Sequence, residues 1–162
     1  MSEMVLLSTQ ELFASYTNSC GPNPAQQSYS FAGIIGFTGE KIRGTIILAT
    51  VAEVLQATRP TAAETDSEQA DWAGELANQL LGRIKNKLLA HGLVIQLSTP
   101  TSVTGESLRL ALSSDARSSR LEYRLGVGPV AVTWATELED GFTLQLQPKE
   151  EQGAREGEMH LF

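Results

Sequence analysis

The chain has 162 residues, of which 41% are hydrophobic and 19% are charged, and its formal net charge is −7. We expect a single domain whose core needs no disulfide or metal ion for stability. The acidic balance and scattered basic residues argue against a nucleic-acid surface, and no apolar run suits a signal peptide or membrane span. The single Cys20 favours a reducing, cytoplasmic location.

The first predicted element is a short helix near the N-terminus. Ser8 and Glu11 have the spacing of a capping box, with Ser8 as the N-cap residue. We expect this helix to run to about residue 19. The glycine and two prolines within residues 21–24 then favour a break in regular structure.

A β-hairpin is predicted next, followed by a second short helix. The strands are expected at residues 28–37 and 41–50, with the turn at residues 38–40. The helix is expected at residues 51–58, because the residue before Pro60 is sterically biased away from helical geometry.

The longest predicted element is a helix that ends at about Ala90. Thr65 or Asp66 could cap its N-terminus, and His91 with Gly92 provides a C-terminal stop. The remaining elements are strands, predicted at residues 94–98, 107–112, 121–125, 131–136 and 142–147. Helices concentrated in the first half and strands paired as hairpins indicate an α+β fold.

Polar and apolar residues separate on opposite faces of this long helix. At about 100° per residue, one narrow stripe contains Asp71, Glu75, Asn78, Gly82 and Lys85. The opposite face is apolar and consists of Ala73, Leu76, Ala77, Leu80, Ile84 and Leu88. A solvated face has no need of glycine, which costs roughly 1 kcal/mol relative to alanine inside a helix. The stripe therefore predicts a surface on which another molecule docks.

The spacing Asp71-x3-Glu75-x2-Asn78-x21-Pro100 resembles the signature of the CheC/CheX/FliY family of bacterial chemotaxis phosphatases. Residues 34–39 with 44–48 resemble the central hairpin of that family, and residues 99–105 resemble its strand-end turn. CheC-type members carry two such motifs and FliY-type members add a domain, so a short chain with one motif is most similar to CheX. The resemblance implies long helices packed on an antiparallel β-sheet.

The resemblance also implies an activity and assigns the stripe its roles. The family removes phosphate from the aspartyl phosphate of a CheY-like response regulator. Asn78 would orient the attacking water, because a carboxamide both donates and accepts hydrogen bonds. Glu75 would pair with a lysine of the regulator and fix the register of the docked helix. Gly82 would let the partner approach. Asp71 could cap the helix, interact with its N-terminal dipole or contact the rim of the partner.

The partner is expected to supply both Mg²⁺ and the phosphorylated aspartate, so the chain would need no cofactor or metal of its own. By resemblance we also expect a homodimer formed through the sheets, and an exposed edge strand in residues 121–136 would need such pairing. The predicted domain covers residues 1–147, with a polar tail at 148–162.

Two other functions compete with this hypothesis. The chain could bind a response regulator, or act as an adaptor in a flagellar switch, without turnover. A hydrolase with its own nucleophile is weakly supported, because no serine, threonine or cysteine has a recognisable nucleophile context with a histidine.

Overall fold

The computed structural model describes residues 1–16, 20–22, 28–63, 65–110, 112, 117–139 and 142. Within them, a seven-stranded sheet carries helices on one face. The helices are α1 (Ser2–Ala14), α2 (Ala52–Thr58) and α3 (Asp66–Ala90). The strands are β1 (Cys20–Pro22), β2 (Tyr29–Gly39), β3 (Ile42–Thr50), β4 (Ile95–Leu97), β5 (Thr101–Leu108), β6 (Arg117–Leu125) and β7 (Gly128–Leu138). The α+β fold, with a long helix on an antiparallel sheet, is thereby confirmed.

The strands follow the order β1-β6-β7-β3-β2-β4, and β5 also pairs with β2. Each of these pairings is antiparallel. β4 and β5 lie one after the other along the same edge of β2, where Phe37 pairs with Leu97 and Ile34 with Thr101. The segment between β4 and β5, which contains Pro100, therefore lies beside the middle of β2.

Helix α3 packs on the sheet through the apolar face that the sequence predicts. Leu76, Leu80, Ile84 and Leu88 are completely buried. The helix lies close to β2, because a Cβ on Gly33 would be 2.2 Å from the carbonyl oxygen of Ala73. This contact fixes the distance of α3 from the sheet and directs its polar stripe away from the core.

Truncation of this face should destabilise the fold. We expect Leu80→Ala to lower the free energy of unfolding by about 2–5 kcal/mol, because it removes a buried side chain and leaves a cavity. Urea denaturation measures the change. Leu89→Ala is the matched control on the same helix, since Leu89 is 55% exposed. Equal losses in the two variants would contradict this account of the core.

The other face of the sheet carries a smaller apolar cluster. Its buried members are Tyr29, Ala32, Ile47, Ala49 and Ala131, and the partly buried Ile34, Leu108, Leu110 and Leu112 pack against them. Burial is the main reason that the pKa of the Tyr29 hydroxyl is raised. The leucines come from the end of β5 and the segment after it, which therefore lies against this second face.

The N-terminal helix differs from the prediction. α1 begins at Ser2, with Met1 as its N-cap residue, and Ser8 is buried inside the helix. The proposed capping box of Ser8 and Glu11 is therefore wrong. Buried residues Met4, Val5, Leu12 and Phe13 lie on one helical face that begins before Ser8, so packing extends the helix in that direction.

One predicted strand is displaced, and one strand forms where none is predicted. The strand expected at residues 107–112 lies instead at Thr101–Leu108, so it includes most of the turn expected at residues 99–105. Most β5 side chains are exposed, so β5 lacks the alternation of apolar residues that marks a strand in sequence. Residues 20–22 form the short β1, where a break was predicted.

The remaining elements agree with the prediction or lie beyond the described residues. The hairpin, α2 and α3 occur where expected. β7 lies inside the sheet between β6 and β3. Residues 128–136 therefore do not form the exposed edge strand that is predicted within residues 121–136. Phe142 lies outside any strand, whereas 143–147 and the predicted tail at 148–162 fall outside the described residues. None of the described helices has both the length and the apolar character needed to cross a membrane.

Candidate functional site

The candidate site lies on α3, whose two ends are well defined. Thr65 is the N-cap residue and forms a capping box with Glu68, in which each side chain accepts a hydrogen bond from the other residue's backbone N–H, at 3.3 and 3.2 Å. The helix stops at His91, and Gly92 follows with φ of +77°, a conformation that favours glycine. The polar stripe therefore belongs to a helix of 25 residues with defined ends.

The stripe residues share one accessible face, as predicted. Asp71 and Glu75 are exposed, whereas Asn78 and Gly82 are partly buried. Within the described part of the chain, neither Asp71 nor Asn78 uses its side chain in a hydrogen bond. The carboxamide of Asn78 is therefore available to a molecule that approaches this face.

Glu75 has a partner that sequence reasoning missed. The Gln79 side chain donates a hydrogen bond from Nε2 to Glu75 Oε1 at 3.2 Å. The signal in the sequence was the spacing of four residues, which places the two side chains next to each other on a helix. The contact uses one carboxylate oxygen and leaves a negative charge at the exposed surface.

The two glycines of α3 have different functions. A Cβ at Gly82 would have no described atom within 4 Å, so the fold itself does not require glycine there. A Cβ at Gly74 would lie 2.7 Å from Ser102 Oγ and 3.7 Å from Pro100 Cβ. Gly74 therefore allows close packing within the protein, whereas Gly82 leaves a bare patch on the candidate docking face.

Pro100 belongs to the structural support of the site. It packs beside Gly74, so the turn between β4 and β5 lies against the flank of α3. Ser98 fixes this turn to β2, because its Oγ accepts a hydrogen bond from Gly36 N at 2.9 Å and its N–H donates to Gly36 O at 2.9 Å. The spacing between Asn78 and Pro100 thus reflects packing of the turn on the helix.

The described residues contain no group of three or more His, Cys, Asp and Glu side chains arranged to hold a metal ion. What the stripe offers is a carboxylate and a free carboxamide one helical turn apart, beside a bare glycine. Such a surface can bind a cation and orient a water molecule, provided that a partner brings the reacting group.

Comparisons with known proteins identify the family. Residues 31–123, more than half of the chain, match the family described as chemotaxis phosphatase CheX. No curated protein sequence matches the chain.

Solved structures show the same fold. The chemotaxis protein CheX from Vibrio vulnificus has a TM-score of 0.73 at 17% identity, and the match covers 83% of this chain and 95% of that one. A CheC-like superfamily protein from Shewanella sp. PV-4 has a TM-score of 0.71 at 22% identity, covering 83% and 96%. A CheX–CheY–BeF3–Mg²⁺ complex from Borrelia burgdorferi has a TM-score of 0.66 at 17% identity, also covering 83% and 96%. With the family match over residues 31–123, the chain belongs to the CheX family of chemotaxis phosphatases.

Proposed function

We propose that the chain hydrolyses the aspartyl phosphate of a CheY-like response regulator, with α3 as the docking and catalytic element. The observation that carries this proposal is the exposure of Glu75 and the free carboxamide of Asn78 on one face of α3, next to the bare Gly82. Membership of the CheX family supports it, as does the Borrelia burgdorferi CheX that was solved in complex with CheY.

This reaction requires no nucleophile from the chain itself. An acyl phosphate is already activated, so hydrolysis requires a correctly placed water and stabilisation of the transferring group. Asn78 is suited to placing that water, because its side chain can accept a hydrogen bond from the water and donate one to a neighbouring oxygen. Mg²⁺ and the phosphorylated aspartate belong to the regulator, and we assign no cofactor to this chain.

Glu75 would bind the regulator through an ion pair with a lysine of its active site. A carboxylate near a phosphoryl group is repelled unless a cation lies between them, so this pairing sets the register in which α3 docks. Asp71 lies one turn closer to the N-terminus and would contact the rim of the regulator. α3 begins at Asp66, so Asp71 lies beyond the first turn and the expected interaction with the helix dipole is weak there.

Turnover is the direct test of this function. The regulator is phosphorylated with acetyl phosphate and freed of excess donor, and its loss of phosphate is followed with a substoichiometric amount of the chain. Repeated turnover is the expected result. A panel of response regulators from the host identifies the substrate, and failure to accelerate any of them would contradict the proposal.

The alternative is a binding module or flagellar-switch adaptor without turnover. It predicts that the chain binds the phosphorylated regulator yet leaves the decay rate unchanged, or slows it. The free carboxamide of Asn78 favours catalysis, because a binding surface alone does not require a water-orienting group at that position. A homodimer and a cytoplasmic location stay predictions.

Two substitutions at Gly82 should show that its effects on stability and on docking are separate. Gly82→Ala is expected to raise the melting temperature by about 2–4 °C, since alanine is favoured by roughly 1 kcal/mol in a helix and its Cβ meets no described atom. Gly82→Trp is expected to fold and yet to raise KM for the phosphorylated regulator at least about tenfold, a cost of about 1.4 kcal/mol. Calorimetry and steady-state kinetics measure the two effects. A KM for Gly82→Trp equal to that of the wild type would place docking elsewhere.

A further inference from the structure

A series of side-chain contacts reaches Glu75 along one flank of α3. Gln79 donates from Nε2 to Glu75 Oε1 at 3.2 Å, and its own Oε1 accepts a hydrogen bond from the Tyr16 hydroxyl at 3.1 Å. Tyr16 lies just beyond the end of α1, 63 positions away from Gln79 in sequence. Both polar ends of the Gln79 amide are therefore engaged, which fixes the orientation of this side chain.

Tyr16 is in turn held by Trp72. The two rings meet edge to face, with centroids 6.5 Å apart and planes at 84°. The indole of Trp72 donates from Nε1 to Thr58 Oγ1 at 3.0 Å, and this buried hydroxyl donates to the Val54 carbonyl at 2.8 Å. The contacts thus run from the buried end of α2, through two aromatic rings and Gln79, to an exposed carboxylate.

We propose that Gln79 and Tyr16 are positioning residues that hold the Glu75 carboxylate in the orientation in which it binds the regulator. The proposal rests on the proposed function, since it assigns Glu75 a partner. A glutamate on a helix surface otherwise samples several rotamers, and binding must select one. The Gln79 N–H restrains Oε1 and leaves the negative charge facing outwards, so less side-chain freedom is lost when the regulator docks.

A purely structural explanation makes a different prediction. If the contacts serve only to attach the segment after α1 to α3, their loss should lower stability and affect docking equally whether or not Glu75 is present. If they position Glu75, their loss should raise KM only while the carboxylate is there. A double-mutant cycle separates the two, because residues that act through one another give non-additive effects.

The experiment compares Gln79→Met and Tyr16→Phe with the wild type, each alone and combined with Glu75→Ala. The first variant keeps the length of the side chain without the amide, and the second removes only the hydroxyl. Gln56→Met, on the exposed surface of α2, and Tyr29→Phe, in the cluster on the other sheet face, are matched controls. KM and kcat are measured with phosphorylated regulator, and melting temperatures are recorded in parallel.

We expect Gln79→Met and Tyr16→Phe each to raise KM about three- to tenfold with kcat within about twofold of the wild type. Neither should raise KM further in the Glu75→Ala background, and the controls should leave KM unchanged. The positioning role is overturned if KM is unchanged in both variants, or if KM rises equally with and without Glu75. The proposed phosphatase function would survive either result, because the wild type still turns over. A wild type that neither binds nor dephosphorylates any regulator overturns the proposed function and this inference together.

Discussion

Asn78→Ala is expected to lower kcat for regulator dephosphorylation by roughly 10²- to 10³-fold, the loss typical when one preorganised hydrogen-bonding group is removed from a transition state. The reason is that the water loses the group that aligns it with the phosphorus. KM should change little, because we assign docking to Glu75 and Gly82. Steady-state phosphate release over a range of regulator concentrations measures both constants.

The fold should survive this substitution. Asn78 is partly buried, and its side chain makes no hydrogen bond to another described residue. Asn86→Ala is the matched control, since Asn86 is an exposed asparagine on the same helix, about two turns beyond Asn78. Asn78→Asp should lose activity as well, because a carboxylate cannot donate to an oxygen and adds negative charge near the phosphoryl group. A kcat of Asn78→Ala near that of the wild type would remove the assigned role.

Glu75→Ala is expected to raise KM about tenfold, which corresponds to about 1.4 kcal/mol of binding free energy, with kcat within about threefold of the wild type. In the proposed interface, the alanine would remove the anionic partner of the regulator lysine and leave that cation unpaired. Titration calorimetry with the regulator provides an independent affinity. Glu40→Ala, at an exposed glutamate in the turn between β2 and β3, is the control.

Ionic strength distinguishes an ion pair from a simple loss of contact area. Because salt screens charge interactions, the wild-type KM should rise with ionic strength, and the KM of Glu75→Ala should rise less steeply. Glu75→Gln should behave like the alanine variant in salt dependence, since it keeps the shape of the side chain without the charge. Parallel salt dependence of all three proteins would argue against the ion pair.

The sequence predicted those parts of the site that depend on one helix. Periodicity alone placed Leu80 in the core and Glu75 with Asn78 on the opposite, accessible face, because side chains of a helix point in fixed directions. The sequence left Thr65 or Asp66 as the N-cap residue, and the structure selects Thr65 through its capping box with Glu68, three positions further on. The difference between Gly74 and Gly82 could not be predicted from the sequence, because it depends on the packing of Ser102 and Pro100 against the helix.

Features set by distant contacts were not predictable from local patterns. β5 is a strand because it pairs with β2, although its own side chains are mostly exposed. α1 extends to Ser2 because its apolar face packs into the core. Gln79 could have been connected to Glu75 by helical spacing, whereas no local pattern connects Tyr16 to a residue 63 positions away.

Catalysis by Asn78 on α3 is tested most directly by following the decay of phosphorylated regulator with a substoichiometric amount of wild-type chain, with Asn78→Ala, or with neither. The wild type is expected to accelerate loss of phosphate over many turnovers. The Asn78→Ala trace should follow the regulator alone, although calorimetry still detects its binding. Acceleration of equal size by the wild type and Asn78→Ala would contradict the assignment of α3 as the catalytic element.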